Sequence, residues 1–204
     1  MASEQISIFD MFKIGIGPSS SHTLGPWRAA QRFVQTVDAR AGIENVQQVN
    51  VLLYGSLAKT GVGHGTDIAI LLGLSGDDPV TFDVYDVVPK VDRIKSSSKI
   101  ELGAKHQIDF VYNEHMLFLY NESLPFHPNA VTFQAFLQDG SALSETYYSI
   151  GGGFVAQEAE QSAGATEVDL PFQMDSAEDV LFGSRRTGLK ISGWALEPEL
   201  AWRS

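Results

Sequence analysis

The chain has 204 residues, 44% of them hydrophobic and 19% charged, which is typical of folded globular proteins rather than disordered ones. Lys and Arg number 14 against 25 Asp and Glu, giving a formal net charge of −11. Nucleic-acid binding requires a basic face that neutralises phosphates, so this balance argues against a nucleic-acid partner. The sequence has no cysteine, so the chain supplies no disulfide, no thiolate nucleophile and no thiolate ligand for zinc or an iron–sulfur cluster.

The N-terminal sequence does not resemble a secretory signal, because it lacks a basic region followed by a long apolar run. The chain nowhere contains 18 consecutive apolar residues, so we expect no transmembrane helix and no membrane partner. The expectation from these two features is a soluble cytoplasmic protein.

The first half of the chain predicts two helices around one strand. Residues 15–23 form a turn by composition, and the spacing of apolar residues then predicts an amphipathic helix over 26–39 that ends at Gly42. Thr23 or Gly25 would cap that helix. A strand over 46–54 and a glycine-rich turn over 55–65 follow, and then a short apolar helix that is expected to be buried. Its range is 68–74, with Thr66 or Asp67 as the cap.

The second half predicts mainly strands, then a linker and helices. Residues 80–98 are ambiguous between strand and helix. Runs over 107–112 and 116–119 predict strands joined by a turn at Asn113-Glu114. A second hairpin pairs 130–137 with 144–150 around a two-residue turn at Asp139-Gly140. The remainder is an exposed linker over 155–170 and two helical pieces over 176–202, the first capped by Ser176 with Asp179. We therefore expect an α/β fold with a mixed sheet and packed helices.

Three of the five histidines lie in segments rich in glycine, serine or proline, next to the end of a predicted element. These are His22, His64 and His127. The first two precede predicted helix N-termini, where free backbone N–H groups and the helix dipole suit a carboxylate or phosphate. The alternative is that the three are unrelated loop residues, and sequence spacing alone leaves it open. His106 and His115 lie in or beside strands and are expected to be structural or surface residues.

Four motifs in the same order resemble those of a known family. They are SIFDMFKIGIGPSSSHTLGP at 7–26, GHGTD at 63–67, HPN at 127–129 and SIGGGF at 149–154. The opening closely resembles that of bacterial iron–sulfur L-serine dehydratases, the other motifs are similar to further motifs of that family, and the tail over 176–204 looks like its connector. Each motif alone would be weak, but four in order are highly specific, and the resemblance with its tail covers essentially the whole chain.

The resemblance implies an L-serine ammonia-lyase that converts L-serine to pyruvate and ammonia with a [4Fe–4S] cluster. It also implies that this chain is the β domain, similar to allosteric-substrate-binding domains, over residues 1–154. Residues 155–204 would be a linker and helical connector towards an α catalytic domain that carries every cluster ligand. We therefore expect a fragment of the single-chain enzyme that is inactive alone, binds L-serine and the α domain, and forms a homodimer.

The site residues carried over from the resemblance fall into two groups. The expected contacts on the side of the substrate carboxylate are Ser19, Ser20, Ser21, His22 and Thr23. The expected polar remainder of the substrate site is His64, Thr66, Asp67, His127 and Asn129, with Gly151 and Gly152 approaching the ligand by their backbone. His64 is the candidate base and His127 the second candidate catalytic residue. The alternative is a regulatory serine-binding module with no part in the chemistry.

Overall fold

The computed structural model describes residues 13–158 and 176–203. The chain forms two compact units, and the described parts of these units are 13–158 and 176–203. Residues 7–12 of the first motif and residues 159–170 of the expected linker lie outside the described residues. Among the described residues, no helix is long and apolar enough to cross a membrane.

The larger unit begins with helices and the first strand. A π-helical turn over Ser20–Leu24 runs directly into helix α1, Gly25–Ala41, which ends at Gly42 as expected. Strand β1, Val46–Tyr54, is followed without a loop by helix α2, Gly55–His64. The prediction of a turn over 55–65 was therefore wrong. Helix α3, Thr66–Leu74, is buried as predicted.

Residues 84–119 fold as short elements that the sequence assigned only in part. The ambiguous segment contains helix α4, Val87–Ser97, with Pro89 in its first turn, where proline is tolerated. Strands β2 (Lys99–Leu102) and β3 (His106–Asp109) form a separate two-stranded sheet. A short helix α5, Tyr112–His115, then precedes strand β4, Met116–Leu119. The predicted hairpin between 107–112 and 116–119 was wrong, because β4 instead pairs in parallel with β1.

The main sheet has five strands in the order β4-β1-β5-β6-β7. The last three are β5 (Ala130–Leu137), β6 (Ala142–Gly151) and β7 (Phe154–Ala156). Every neighbouring pair except β1–β4 is antiparallel, which confirms a mixed sheet. The hairpin at Asp139-Gly140 is confirmed, although residues 138–141, not two residues, connect its strands.

The core of the larger unit lies between the sheet and α1, with α3 packed on α1. Phe33 of α1 stacks on Phe133 of β5 with ring centroids 5.1 Å apart, and Tyr147 of β6 lies 6.0 Å from Phe133. All three rings are at most 1% exposed. Because the core fixes α1 against β5 and β6, it also fixes the π-helical turn that precedes α1.

The smaller unit, as described, is a pair of helices. Helix α6, Ala177–Thr187, begins with the predicted capping box: Asp179 N–H donates to Ser176 Oγ, and Ser176 N–H donates to Asp179 Oδ2 at 2.9 Å. Helix α7 covers Ile191–Arg203. Trp194 is 1% exposed and packs on Gly183 of α6, where an added Cβ would lie 2.3 Å from the indole nitrogen.

Candidate active site at the end of strand β1

The candidate site lies where β1 passes directly into α2. Gly55 has a left-handed backbone (φ +51°), and an added Cβ would lie 2.3 Å from the carbonyl oxygen of Pro128. Only glycine adopts this conformation freely and leaves room for that carbonyl. Ser56 N–H then donates to the Pro128 oxygen at 2.9 Å. The loop that carries His127 is therefore held against the first turn of α2.

His22 lies in the π-helical turn and is held through both ring nitrogens. Its Nδ1 lies 2.9 Å from Ser21 Oγ, and its Nε2 lies 2.9 Å from Ser56 Oγ. Burial of the ring, and then repulsion from His64, lower the pKa of His22 below its ordinary value of 6.5. A neutral imidazole is therefore favoured at neutral pH.

His64 is the exposed last residue of α2, and its ring centroid lies 5.1 Å from that of His22. Its Nδ1 lies 2.9 Å from the Thr60 carbonyl oxygen. Because a carbonyl only accepts hydrogen bonds, Nδ1 must carry a proton in this bond. In the neutral ring the lone pair is then on Nε2, the atom that can accept a proton from a bound molecule.

Two buried threonines connect the backbones of the two histidine segments. Thr23 Oγ1 donates to the carbonyl oxygen of His64 at 3.0 Å. In the reverse direction, the Thr66 hydroxyl donates to the carbonyl oxygen of His22. Thr23 is 5% exposed and Thr66 is fully buried, so water does not compete freely for these bonds. The spacing between the backbones at His22 and His64 is therefore fixed by reciprocal hydrogen bonds, which leave the orientation of the rings to their own contacts.

His127 and Asn129 form the third segment of the site. Asn129 N–H donates to His127 Nδ1 at 3.1 Å, so Nδ1 accepts and the neutral ring carries its proton on Nε2. Burial lowers the pKa of His127 below 6.5. The Asn129 side-chain amide donates to the Ser149 carbonyl at 3.2 Å. Ser149 in turn packs against Gly25, where an added Cβ would lie 1.9 Å from Ser149 Oγ.

The family model of the serine dehydratase beta chain matches residues 7–160, which include all three histidine segments. This chain belongs to that family. An L-serine dehydratase of Streptomyces coelicolor is 46% identical over 97% of the chain, and L-serine dehydratase 1 of Escherichia coli is 42% identical over 98%. An L-serine dehydratase of Haemophilus influenzae is 38% identical over 96%. The chain spans 44% of the length of each of these relatives.

Several expected site residues of this β chain have other contacts. Neither Thr66 nor Asp67 caps α3, whose capping residue is Gly65. Asp67 Oδ2 instead accepts from Tyr112 OH at 2.7 Å and lies 3.2 Å from Lys95 Nζ. Burial, and then the bond to Asp67, raise the pKa of the Tyr112 phenol. Asp67 is 3% exposed, so its carboxylate is part of a buried cluster rather than of the histidine group.

The remaining expected residues are Ser19, Ser20, Gly151 and Gly152. Neither Thr23 nor Gly25 caps α1, whose capping residue is Leu24 without a side-chain bond. Ser19 caps the π-helical turn that precedes it, by accepting from His22 N–H at 3.4 Å. The side chain of Ser20 is exposed. Gly151 is the last residue of β6 and Gly152 the first residue of the turn to β7, both with left-handed backbones. No described contact joins these two glycines to a histidine ring.

Sequence reasoning missed Ser56 and Thr60, although a signal for both was present. Ser56, Thr60 and His64 recur at intervals of four residues, which places them along one face of a helix. The four glycines between residues 55 and 65 concealed that period, because they made the segment resemble a turn. Within 13–158 and 176–203, no group of three or more His, Asp or Glu residues is arranged to hold a metal ion.

Proposed function

We propose that this chain forms one half of the active site of an L-serine dehydratase, which converts L-serine to pyruvate and ammonia. The observation that carries the proposal is the group of two histidine rings 5.1 Å apart, linked by the threonine bonds, in a chain of the serine dehydratase family. Water is lost from serine when a base removes the α-proton and the β-hydroxyl departs. The resulting enamine tautomerises to an imine, and hydrolysis of the imine gives pyruvate and ammonia.

His64 is the group that we propose as the base. Its neutral form has the lone pair on Nε2, and its side chain is exposed, so a bound serine can reach that atom. A histidine is suited to accept a proton near neutral pH. His127, by contrast, holds its proton on Nε2 and can donate a hydrogen bond to an oxygen of the substrate. In their neutral forms, Nε2 of His64 thus accepts a proton, whereas Nε2 of His127 donates a hydrogen bond.

The polar residues of the first turn are proposed to face the substrate carboxylate. Ser20 and Ser21 lie at the N-terminal end of the helical run that continues into α1, where the helix dipole favours an anion. Ser19, His22 and Thr23 hold this turn in place through the bonds described above. Asn129 and Thr66 support the loops, Asp67 connects α3 to α4 and α5, and Gly151 and Gly152 are proposed to approach the ligand by their backbone.

The cluster implied by the family resemblance does not fit the residues of this chain. The sequence has no cysteine, and no described histidine and carboxylate group replaces the thiolates. We therefore place the ligands of a [4Fe–4S] cluster, which would supply a Lewis acid, in an α catalytic domain beyond these residues. The expected linker and connector over 155–204 are proposed to lead towards that domain only after β7, because residues 155 and 156 belong to the sheet instead. No step of the reaction is assigned to the cluster in this chain.

The last turn of α2, next to the histidine group, is exposed, which supports a site that another domain completes. Val62 is 59% exposed beside His64, and an added Cβ at Gly63 would meet no atom within 4 Å. Both residues lie in the last turn of α2, next to the proposed base. A second protein surface can therefore pack over this turn without displacing any described residue. We also propose a cytoplasmic homodimer.

The test of the proposal is the reaction itself, measured on two forms of the protein. The full-length protein, prepared without oxygen, should form pyruvate and ammonia in equal amounts from L-serine. The 204-residue chain alone should form neither, because it lacks the second half of the site. Turnover by the isolated chain, or none by the full-length protein with its cluster, contradicts the proposal.

A regulatory serine-binding module is the second candidate, and one cavity favours it. The cavity has a volume of about 190 Å³ and lies between α1, the end of α3 and the turn between β2 and β3. Asp38 and Lys105 at this cavity form an ion pair of 2.6 Å, and a zwitterion can bind there by exchanging that pair for contacts with its own two charges. Calorimetric titration of the chain with L-serine distinguishes the two candidates. Saturable binding that Lys105→Ala abolishes favours regulation, and no binding favours the half-site.

A further inference from the structure

Ser56 is the residue through which all three histidine segments are connected. It is the half-buried second residue of α2, and its Oγ lies 2.9 Å from His22 Nε2. Its backbone N–H donates to the carbonyl oxygen of Pro128, directly after His127. Its own carbonyl oxygen accepts from Thr60 Oγ1 at 2.9 Å, and the Thr60 carbonyl bonds to His64 Nδ1.

The position of Ser56 in α2 explains why one residue can make these bonds. The first N–H groups of a helix have no partner within the helix, so Ser56 N–H is available to the Pro128 carbonyl. Serine near a helix start commonly caps its own helix. In α2, however, the capping residue is Tyr54, with no side-chain bond, and the Ser56 hydroxyl instead bonds to a ring 34 residues earlier.

We infer that Ser56 is a positioning residue of the candidate site, which orients the His22 ring and fixes its separation from His64. The inference depends on the proposed function only for its effect on turnover. The ring orientation itself is a property of the chain and can be measured without substrate.

The chemistry of a hydroxyl suits this position. A neutral imidazole donates at one nitrogen and accepts at the other, and a hydroxyl can serve either nitrogen. Ser21 and Ser56 therefore hold His22 at both ends without adding charge. A carboxylate at position 56 would instead favour the imidazolium form. That form would repel any positive charge on His64, whose ring centroid is 5.1 Å away.

The experiment compares the 204-residue chain with three variants, Ser56→Ala, Ser56→Thr and Ser96→Ala. Ser96 is an exposed helical serine in α4 whose hydroxyl bonds to its own helix at Arg93, so it is a matched control. The readouts are the NMR cross-relaxation between the His22 and His64 rings and the titration curve of His22. In the full-length protein, kcat and KM for L-serine are measured as well.

Ser56→Ala should fold, lose the His22–His64 cross-peaks and change the His22 titration, whereas Ser96→Ala and Ser56→Thr should match the parent chain. In the full-length protein, kcat should fall by about 10- to 100-fold in Ser56→Ala, since small displacements of catalytic groups have effects of that size. Parent-like cross-peaks and titration in Ser56→Ala overturn the inference. If Ser56→Ala fails to fold, a folded Ser56→Thr that lacks the cross-peaks also overturns it. Lost cross-peaks with parent-like turnover support the positioning of His22 and contradict only the expected effect of its ring on turnover, whereas no turnover by the parent full-length protein contradicts the proposed function.

Discussion

Replacing Gly55 by alanine tests whether the close approach of Pro128 holds the site together. The left-handed backbone at φ +51° costs an alanine about 1–2 kcal/mol. In addition, the new Cβ would lie 2.3 Å from the Pro128 oxygen, so the chain must shift there. That shift weakens two backbone bonds, Ser56 N–H to Pro128 and Gly55 N–H to Glu122. Each bond contributes about 1 kcal/mol, so the total loss should be about 3–4 kcal/mol.

Gly140→Ala is the matched control for this substitution. Gly140 also has a left-handed backbone (φ +84°), but its added Cβ would meet no atom within 4 Å. It should therefore lose only the conformational term, about 1–2 kcal/mol. Urea unfolding of both variants measures the difference, and for a chain of this size each kcal/mol lowers Tm by about 2–4 °C. Equal losses in the two variants would show that Pro128 does not press on Gly55, and the argument for the third segment would fail.

Three further predictions concern pH, a helix glycine and the buried acid. Folding lowers the pKa values of His22 and His127 below the ordinary histidine value of 6.5. Just below pH 6.5 the unfolded chain therefore binds more protons than the folded chain. The two histidines should contribute stability above pH 6.5, and this contribution should be lost as the pH falls towards their pKa values in the folded chain. In urea unfolding measured across this pH range, the double variant His22→Gln, His127→Gln should show a weaker dependence of stability on pH, and an unchanged dependence contradicts the prediction. Gly63→Ala should stabilise the isolated chain against urea by about 0.5 kcal/mol, since alanine favours a helix more than glycine does. In the full-length protein the same methyl group should lower turnover by crowding the second domain, and parent-like turnover argues against packing of that domain over Gly63. Asp67→Asn should lose about 1–3 kcal/mol in urea, because the buried carboxylate that accepts from Tyr112 OH and pairs with Lys95 loses its charge-assisted bonds. A change below about 0.5 kcal/mol would count against the buried cluster.

The sequence allowed prediction of elements whose signal is local. The spacing of Phe33 and its neighbours predicts α1, and the capping box at Ser176 predicts the start of α6. Helix α2 was missed because its glycines have poor helix propensity, which tertiary contacts override at Gly55. The sequence predicts that β4 pairs with the strand just before it in the chain, but its actual partner is β1, more than sixty residues earlier.

For the candidate site, the sequence predicted which residues take part but not which groups their side chains contact. His22, His64 and His127 were selected because of their glycine- and proline-rich surroundings, and two of their rings are in fact adjacent. Local patterns could not show that Thr66 bonds to the His22 carbonyl, 44 positions away. The same limit applies to Asp67, whose carboxylate points to Lys95 and Tyr112 because of how α3, α4 and α5 pack.

The most direct test of the account is the turnover of L-serine by the full-length protein with His64→Gln or His106→Gln. His106 is the matched control because its Nε2 bonds to the Val46 carbonyl, at the start of β1. Val46 and the last residue of this nine-residue strand are about 26 Å apart, at about 3.3 Å per residue. His64→Gln should lower kcat by about 100-fold or more, the usual contribution of a general base, and His106→Gln should leave it unchanged. Similar rates for both variants would contradict the assignment of the base to the end of β1.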